Sequence, residues 1–248
     1  MNSPYRPCAL IPVYNHGSTA RYAVEKILSF GLAVILVDDG SNEETKIQLQ
    51  SIESEFDECT LFRLHKNQGK GGAVIHGLTE AEKAGFTHAL QIDADGQHDL
   101  EQIQTFIKCS SENPDSLVCG HPVYDDSVPA SRESGRKITT FWVALETLSR
   151  DIEDAMCGFR VYPLKATKRL FRGSWLGKRM EFDIEILVKL HWMNVKMIFL
   201  PIKVIYPEDG SSNFRMFHDN VAISLAHTRL FIGMIFRSPL IIYRKIAS

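Results

Sequence analysis

The chain has 248 residues, of which 44% are hydrophobic and 23% charged, and its formal net charge is −2. This length is enough for one α/β domain with an adequate core. A slightly acidic chain lacks the basic footprint of nucleic-acid binding, so we expect no nucleic-acid partner. The five cysteines are odd in number and show no CxxC spacing, which predicts reduced thiols and excludes a disulfide framework or a zinc site. Residues 1–6 contain no apolar signal core, so we expect a cytoplasmic protein.

Strand and helix patterns alternate along the chain. Apolar, β-branched runs predict strands near residues 8–13, 33–37, 59–64, 88–93, 117–120, 156–162 and 195–206. Helical periodicity predicts helices near residues 18–30, 43–55, 71–84, 99–109, 135–150, 181–193 and 215–236. Gly31 and Gly85 stand where helix C-caps are expected, Pro239 is expected to break the last helix, and the polar stretch 121–133 predicts a mobile loop. The alternation predicts an α/β fold with a mostly parallel sheet flanked by helices.

The strand near residues 88–93 ends in two carboxylates, Asp93 and Asp95, followed by Gln97 and His98. On an extended chain both acids would point to the same side, at the strand end where α/β sheets bind ligands. Two carboxylates held so close repel each other unless a cation shares the site. Oxygen ligands without cysteine favour Mg²⁺ or Mn²⁺, and Gln97 would add a third oxygen. The alternative is a polar surface turn that caps the next helix.

Two more strands are followed by polar residues. The run 33–37 leads into Asp38 and Asp39, and the strand near 8–13 leads into Tyr14 and Asn15. Right-handed crossovers would bring these strand ends to one edge of a parallel sheet, which predicts a functional site there. The alternatives are structural: Asp38 would accept hydrogen bonds from the backbone of its own turn, and Tyr14 would be half-buried packing.

A glycine-rich loop, Asn67–Gly72, resembles a phosphate-binding loop, although its spacing is not that of a Walker A motif. Its glycines permit close backbone approach at the start of a helix, and Lys70 supplies positive charge. The alternative is a flexible turn with a solvated lysine.

Taken together, these motifs resemble the inverting, metal-dependent family 2 glycosyltransferases with the GT-A fold, closest to the branch of dolichyl- and polyprenyl-phosphate sugar transferases. The motifs that carry the resemblance are Ile11-Pro12-Val13-Tyr14-Asn15, Val37-Asp38-Asp39-Gly40-Ser41, Asn67-Gln68-Gly69-Lys70-Gly71, Asp93-Ala94-Asp95-Gly96-Gln97-His98 and Gly158-Phe159-Arg160. They follow the family's order over residues 8–215, and as a set they are highly specific.

The resemblance implies a division of labour among the candidate residues. The residues that it places at the nucleotide-sugar donor are Pro12, Tyr14, Asn15, Asp38, Asp39, Lys70 and Asp93. Asp39 is the better nucleoside contact of the two adjacent acids. The implied ligands of a Mg²⁺ or Mn²⁺ ion are Asp95, as the leading one, with Asp93 and Gln97; His98 is a less certain ligand.

The distal half holds the candidates that the resemblance places around the reacting sugar, namely Asp154, Glu181 and Asp183, and Arg215 at the diphosphate. Glu181 and Glu185 share a helix face, whereas Asp183 points elsewhere. The alternative for the acids of the segment 181–185 is that they are favourable charges in a first helical turn. The alternative for Arg215 is a solvated arginine at a helix start. If the acceptor is a hydroxyl, Asp154 or Asp183 would be the general base; a lipid phosphate would need none.

Residues 221–243 are apolar but are interrupted by His227, Arg229 and Arg237. The uninterrupted run 230–236 is far shorter than the roughly 20 residues of a spanning helix. We therefore predict a helix that lies on the cytoplasmic face of a membrane as a peripheral anchor. The basic side chains expected to reach its headgroups are Arg229, Arg237, Arg244 and Lys245. The alternatives are a buried C-terminal helix and a homodimer interface.

The sequence thus predicts a GT-A domain over residues 1–214, with a nucleotide-binding half (1–120) and an acceptor half (121–214), followed by an amphipathic tail (215–248). The predicted function is transfer of a sugar, with inversion and a divalent metal, from a nucleoside-diphosphate sugar to a lipid or lipid-linked acceptor.

Two other functions are alternatives. A nucleotidyltransferase usually carries a glycine-rich, basic loop after its first strand, where this chain has Pro12–His16. A non-catalytic scaffold that binds sugar nucleotides would be indicated by loss of the metal acids, which are intact.

Overall fold

A computed structural model, which describes residues 4–123, 130–204 and 215–247, contains a seven-stranded sheet. In chain order the strands are β1 (Pro7–Val13), β2 (Ala33–Asp38), β3 (Cys59–Arg63), β4 (His88–Gln91), β5 (Leu117–Val123), β6 (Arg160–Pro163) and β7 (Met197–Lys203). Their order across the sheet is β3-β2-β1-β4-β6-β5-β7. β1 runs parallel to β2 and β4, β2 to β3, and β5 to β7, whereas β6 is antiparallel to both its neighbours. The predicted mostly parallel sheet is confirmed.

Helices lie between the strands, and one more helix follows the last strand. They are α1 (Gly17–Ser29), α2 (Glu43–Glu55), α3 (Lys70–Lys83), α4 (Ile103–Glu112), α5 (Ala130–Thr147), α6 (Leu164–Gly173), α7 (Phe182–Trp192) and α8 (Met216–Ala247), with a 3-10 turn at Leu100–Gln102 before α4. α2 begins where sequence predicts, because the Asn42 side chain accepts a hydrogen bond from Thr45 N at 2.9 Å. Gly31 and Gly85 follow the C-cap residues Phe30 of α1 and Ala84 of α3, at φ of +74° and +79°, the left-handed conformation in which glycine ends a helix.

The core lies on both faces of the sheet. Along β1, Cys8 and Leu10 pack into one apolar cluster, with residues of α3, α6 and α7, while Ala9 and Ile11 pack into the other, with residues of α1, α2 and α4. All four are completely buried. Alternate side chains of β1 thus pack into the cores on the two faces of the sheet. The residues that follow the carboxyl end of β1 are therefore held in place by both layers.

Several elements differ from the sequence prediction. β4 ends at Gln91, and Ala94 and Asp95 form a turn, so the predicted alternation of Asp93 and Asp95 along an extended chain is wrong. β6 starts only at Arg160, and the predicted strand near 156–162 is too long, because Asp154 closes a turn before it. Helix α6 was not predicted. The predicted loop 121–133 instead ends β5 and begins α5, and its residues 124–129 lie outside the described part of the chain.

Helix α8 also differs from expectation, because it continues through Pro239 to Ala247. Proline removes one backbone hydrogen bond, and the predicted break does not follow here. By length and composition the helix could cross a membrane, with a mean hydropathy of 1.3 and 28% of its most apolar window buried, a test that the core helices of soluble proteins also pass. Leu230 of α8 belongs to the core cluster that includes α7. The division of the chain at residue 214 stays a prediction.

Candidate active site

The loops after β1, β2 and β4 meet at one edge of the sheet, as predicted from the three polar strand ends. Asn15 N donates to Ser41 Oγ at 3.0 Å, and Asn42 N donates to Asn15 Oδ1 at 2.9 Å, which ties the first two loops together. Asn15 has φ of +59°, a left-handed conformation that asparagine tolerates. Thr19 Oγ1 donates to Ala94 O at 2.5 Å, which joins the third loop. Of the predicted nucleotide contacts here, Pro12 and Tyr14 are partly exposed.

The adjacent acids after β2 have separate partners. Asp38 is completely buried; its Oδ1 accepts from Ser41 N at 2.8 Å, and its Oδ2 forms an ion pair with Arg63. The hydrogen bond from Ser41 N is the one expected if Asp38 has a structural role and accepts from the backbone of its own turn. Asp39 accepts from Gln68 N at 2.7 Å and from Gly69 N at 2.8 Å.

The Asp39 carboxylate therefore anchors the glycine-rich loop before α3. Burial raises the pKa of Asp39 above its ordinary value, although the two backbone donors oppose this rise. A charge-assisted pair of hydrogen bonds of this kind fixes both the position and the orientation of the loop.

Lys70, the first residue of α3, lies between two acids from different halves of the chain. Its Nζ is 2.8 Å from Asp93 Oδ2 and 2.8 Å from Asp183 Oδ2. Burial acts to lower the pKa of Lys70, but Asp183 and Asp93 outweigh it and raise that pKa. Burial acts to raise the pKa of Asp93, but the Lys70 ammonium outweighs it and lowers that pKa. The cation that offsets the Asp93 charge is thus Lys70, where the sequence argument invoked a metal.

A second layer of side chains supports Asp93 and Asp183. Gly158 lies directly against the Asp93 carboxylate, and any Cβ at this position would collide with it. Arg160 is completely buried; its Nη1 donates to Asp183 O at 2.9 Å and its Nη2 to Ala155 O at 2.9 Å. Gly158 thus lets the backbone approach the Asp93 carboxylate closely.

Two buried polar residues in this layer were not predicted. Tyr162 Oη donates to Gln91 Oε1 at 3.2 Å, and Gln91 Nε2 donates to Asp93 Oδ1 at 3.4 Å. A glutamine inside an apolar strand is a signal that could have identified Gln91, since a buried amide needs a partner.

Asp95, Gln97 and His98 lie in the turn after β4. Asp95 Oδ1 accepts from Gln97 N at 3.1 Å, and within the described chain its Oδ2 has no hydrogen-bond donor. The buried His98 Nδ1 also lacks a partner there, while its Nε2 is 3.8 Å from Cys157 Sγ. Burial lowers the pKa of His98, which favours the neutral imidazole. Among the residues that the structure describes, no three acid, imidazole or thiol groups surround one point.

The acceptor-side candidates Asp154, Glu181 and Asp183 have different surroundings, and not all of them reach the Lys70 cluster. Asp154 Oδ1 accepts from Met156 N at 2.9 Å and Cys157 N at 2.6 Å, and its Oδ2 pairs with Arg136, so this acid closes its own turn. Glu181 is buried beside Gly177, and its Oε2 has no partner among the described atoms. Of the three acids, Asp183 is the one that contacts Lys70.

Arg215 stands just before α8. Its backbone N donates to Asp219 Oδ2 at 2.7 Å, and its guanidinium is 3.7 Å from Asp219 Oδ1. Within the described part of the chain its ion pair is therefore with α8 itself, and the residues that precede it, 205–214, lie outside that part.

A mostly parallel sheet whose central strand ends carry these acids and a glycine-rich loop defines the GT-A class of fold. A family model, "Glycosyl transferase family 2", matches residues 8–172, and the chain belongs to this family. The solved structure of glucosyl-3-phosphoglycerate synthase from Mycobacterium tuberculosis, in complex with Mn²⁺ and uridine-diphosphate-glucose, superposes with a TM-score of 0.68 at 12% identity, covering 93% of this chain and 79% of that one. At this identity the likeness concerns the fold alone.

Curated relatives point to one branch of the family. A dolichyl-phosphate beta-glucosyltransferase from Dictyostelium discoideum is 30% identical over 181 residues, 69% of this chain and 54% of the relative. The UDP-N-acetylglucosamine–dolichyl-phosphate N-acetylglucosaminyltransferase of Methanococcus voltae is 26% identical over 216 residues, 80% of this chain and 85% of the relative. The chain thus spans about half the length of the Dictyostelium relative that it matches.

Proposed function

We propose that this protein transfers a sugar from a nucleoside-diphosphate sugar to the phosphate of a dolichyl or polyprenyl phosphate, with inversion. The observation that carries the proposal is the Lys70 ammonium held between Asp93 and Asp183 at the sheet edge of a family 2 chain. Both named relatives act on dolichyl phosphate, which supports this acceptor class over a hydroxyl.

The donor would lie across the strand ends. Its nucleoside would meet Pro12, Tyr14, Asn15 and Asp39, with Asp38 bracing the turn beneath them. Its diphosphate would approach the loop that Asp39 anchors, where the backbone amides at the start of α3 favour an anion. The Lys70 ammonium lowers the pKa of Asp93, which favours the ionised Asp93 carboxylate next to the sugar, and the same ammonium pairs with Asp183. The sugar of the donor would thus lie next to Asp93 and Asp183, which come from the two halves of the chain.

The residues after β4 fit a divalent cation. Asp95 Oδ2 and His98 Nδ1 have no partners among the described residues, and a carboxylate oxygen with a neutral imidazole suits Mn²⁺ or Mg²⁺. Such ions are often held by one or two protein groups together with substrate phosphates, which agrees with the absence of a three-group cluster in the described chain. Asp95 would be the principal ligand, with His98, Gln97 and Asp93 as further candidates. When bound, the ion would neutralise charge on the departing diphosphate.

The chemistry proposed is a single displacement. An oxygen of the lipid phosphate attacks the anomeric carbon, and the bond to the nucleoside diphosphate breaks on the opposite face, which inverts the configuration. The nucleophile is already an anion, so no proton has to be removed by the protein. Asp183, which contacts Lys70, would then position the sugar, and Asp154 would hold the turn before Gly158.

We place the enzyme at the cytoplasmic face of a membrane, with α8 as the lipid-facing element. Its outward surface carries several large apolar side chains that are at least half exposed, namely Leu225, Ile232, Ile235, Phe236, Leu240, Tyr243 and Ile246. An apolar patch of this extent usually marks an interface. A homodimer through α8 is the competing explanation of the same surface.

The test is a transfer assay with purified protein, dolichyl phosphate in detergent, Mn²⁺, and UDP-, GDP- or dTDP-sugars in separate reactions. We expect one donor to give a glycosylated dolichyl phosphate detectable by mass spectrometry. Binding of a donor without any transfer to dolichyl phosphate or to a lipid alcohol would contradict the proposal and favour a non-catalytic scaffold.

A further inference from the structure

The carboxylate of Glu185 in α7 is completely buried and is shared between two parts of the molecule. Its Oε2 accepts from Gly177 N at 2.6 Å. Its Oε1 accepts from Arg229 of α8, at 3.3 Å from Nε and 3.1 Å from Nη2. Lys189 Nζ lies 3.8 Å from Oε2. A buried carboxylate with this many donors holds them in one arrangement, because leaving any of them unpaired is costly.

Gly177 belongs to the segment 174–181, which is clamped at a second point. The Arg229 guanidinium lies 4.8 Å from the centre of the Trp175 ring, and Lys189 Nζ donates to Trp175 O at 2.5 Å. Arg229 thus contacts both Glu185 and Trp175, so the place of this segment depends on a side chain from α8.

The same segment forms the floor under the glycine-rich loop. Gly72 N donates to Lys178 O at 2.9 Å, and Lys178 Nζ reaches Gln68 Oε1 at 3.2 Å. A Cβ added at Gly69 would come within 2.6 Å of Lys178 O, and one at Gly71 within 2.9 Å of Gly177 O. With backbone packed this closely, a shift of the segment must move the loop or open a gap beneath it.

From these contacts we infer that Glu185 is a positioning residue for donor binding, and that Arg229 makes the position of the donor loop depend on α8. The inference rests on the proposed function, since the loop is taken to bind the donor diphosphate. Among the described residues, neither Glu185 nor Arg229 contacts the Lys70 cluster, and each acts through the 174–181 segment. If α8 also meets the membrane, docking of the helix and readiness of the donor loop are linked.

The chain supplies a matched control for Arg229. Arg237 is also an arginine of α8 whose guanidinium lies over a tryptophan ring, 4.6 Å from the centre of Trp192, and its Nη1 donates to Gly233 O. It has no contact with Glu185 or with segment 174–181 in the described structure. Arg229→Gln and Arg237→Gln therefore remove the same charge and the same type of stacking from one helix, and only the first cuts the link to the loop.

The experiment compares the two variants in calorimetric binding of UDP and GDP with Mn²⁺ and in hydrogen–deuterium exchange. For Arg229→Gln we expect roughly 2- to 30-fold weaker nucleotide binding than for Arg237→Gln, the range expected for coupling through a contact network. We also expect faster exchange in residues 67–72 and 174–181, with α1 and β1 unchanged. Glu185→Gln should reproduce both effects, and Arg229→Lys should restore part of each.

Equal binding and equal exchange in the two arginine variants would overturn the inference. So would faster exchange in 174–181 with unaltered nucleotide affinity, because the segment would then not control the loop. If the wild-type protein binds neither nucleotide, the proposed function fails, while exchange at residues 67–72 still reports whether the Arg229 link governs the loop.

Discussion

Asp38 and Asp39 are neighbours in the chain, yet their charges act on different structures. The extended backbone at the end of β2 points them to opposite sides, so Asp38 meets Arg63 and Asp39 meets the amides of Gln68 and Gly69. Asp39 is 2% exposed and is bonded through both oxygens, so its charge orders the loop before a donor arrives. Loss of that charge should therefore reduce donor affinity.

We expect Asp39→Asn to weaken UDP or GDP binding by about 1–3 kcal/mol, the range for a lost charge-assisted hydrogen bond. Isothermal titration calorimetry measures this. Glu53→Gln is the control, because Glu53 also accepts a backbone hydrogen bond, from Leu61 N at 2.8 Å, but far from the strand ends. Equal affinity of the Asp39 variant and the wild type would place the nucleoside site elsewhere.

At the residue scale the sequence identifies acids that follow strands, but not their partners. Asp93, Asp95, Lys70 and Asp183 were all candidates from local motifs. That Lys70 pairs with both Asp93 and Asp183 depends on how the two halves of the chain pack, and no local spacing records it. Lys70 relieves the charge repulsion at Asp93 that had indicated a metal, so a metal site here depends on Asp95 and His98.

At the element scale, α5 and α8 are joined by a buried polar contact. Glu146 is completely buried; its Oε1 lies 2.7 Å from His227 Nδ1, and its Oε2 has no partner in the described structure. Burial raises the pKa of Glu146 above its ordinary value of 4.5, and the His227 contact only partly opposes this rise. The folded protein therefore holds the Glu146 proton to a higher pH than the unfolded chain does.

Because of this difference, the free energy of unfolding should depend on pH in a known direction. The stabilisation that depends on a protonated Glu146 is fully present below the pKa that this carboxyl has in the unfolded chain. It is lost as the pH rises through the higher pKa that the same carboxyl has in the folded protein. In Glu146→Gln the group no longer titrates. The unfolding free energy of the wild type minus that of Glu146→Gln, measured with urea, should therefore fall as the pH rises from 4.5 toward neutrality. A flat or rising difference would show that burial does not govern this carboxylate.

Elements with strong local patterns were predicted well, and those shaped by packing were not. α2 was predicted over its actual bounds, and in the structure Asn42 caps it through Thr45 N. α6 was missed although Leu164, Thr167 and Leu170 are buried at helical spacing, so its periodic signal was present and the sequence prediction overlooked it. The antiparallel direction of β6 comes from its pairing with β4 and β5, which strand periodicity does not specify.

In the whole molecule, the basic side chains of α8 face the protein body and several of its large apolar side chains face outward. Its basic side chains were expected to reach lipid headgroups, but each contacts the protein body: Arg229 meets Glu185, Arg237 meets Trp192, Arg244 donates to Trp192 O, and Lys245 donates to Leu148 O. The outward surface is apolar, with Phe236 80% and Ile246 81% exposed. Association with a membrane would thus depend on apolar burial more than on charge.

We expect the protein to sediment with phosphatidylcholine vesicles and to lose roughly ten- to a hundredfold of that affinity in Phe236→Glu, since burying one phenylalanine contributes about 1.5–3 kcal/mol. Gln50→Glu on the exposed surface of α2 adds the same charge as a control. If Phe236→Glu instead dissociates a dimer and leaves vesicle binding intact, α8 is an interface between two copies of the chain.

The proposed function requires the sheet edge to be a metal-assisted sugar-transfer site, and Asp95 tests this most directly. Asp95 is partly exposed and accepts one hydrogen bond, so Asp95→Asn should leave the fold intact. Asp99→Asn is the control, because Asp99 caps the neighbouring 3-10 turn through Glu101 N at 3.1 Å. The measurement is the initial rate of sugar transfer from the preferred nucleotide sugar to dolichyl phosphate, with Mn²⁺ and with excess EDTA. We predict that Asp95→Asn and EDTA each lower this rate by orders of magnitude and that Asp99→Asn does not; full activity of Asp95→Asn, or of the wild type in EDTA, would contradict the account.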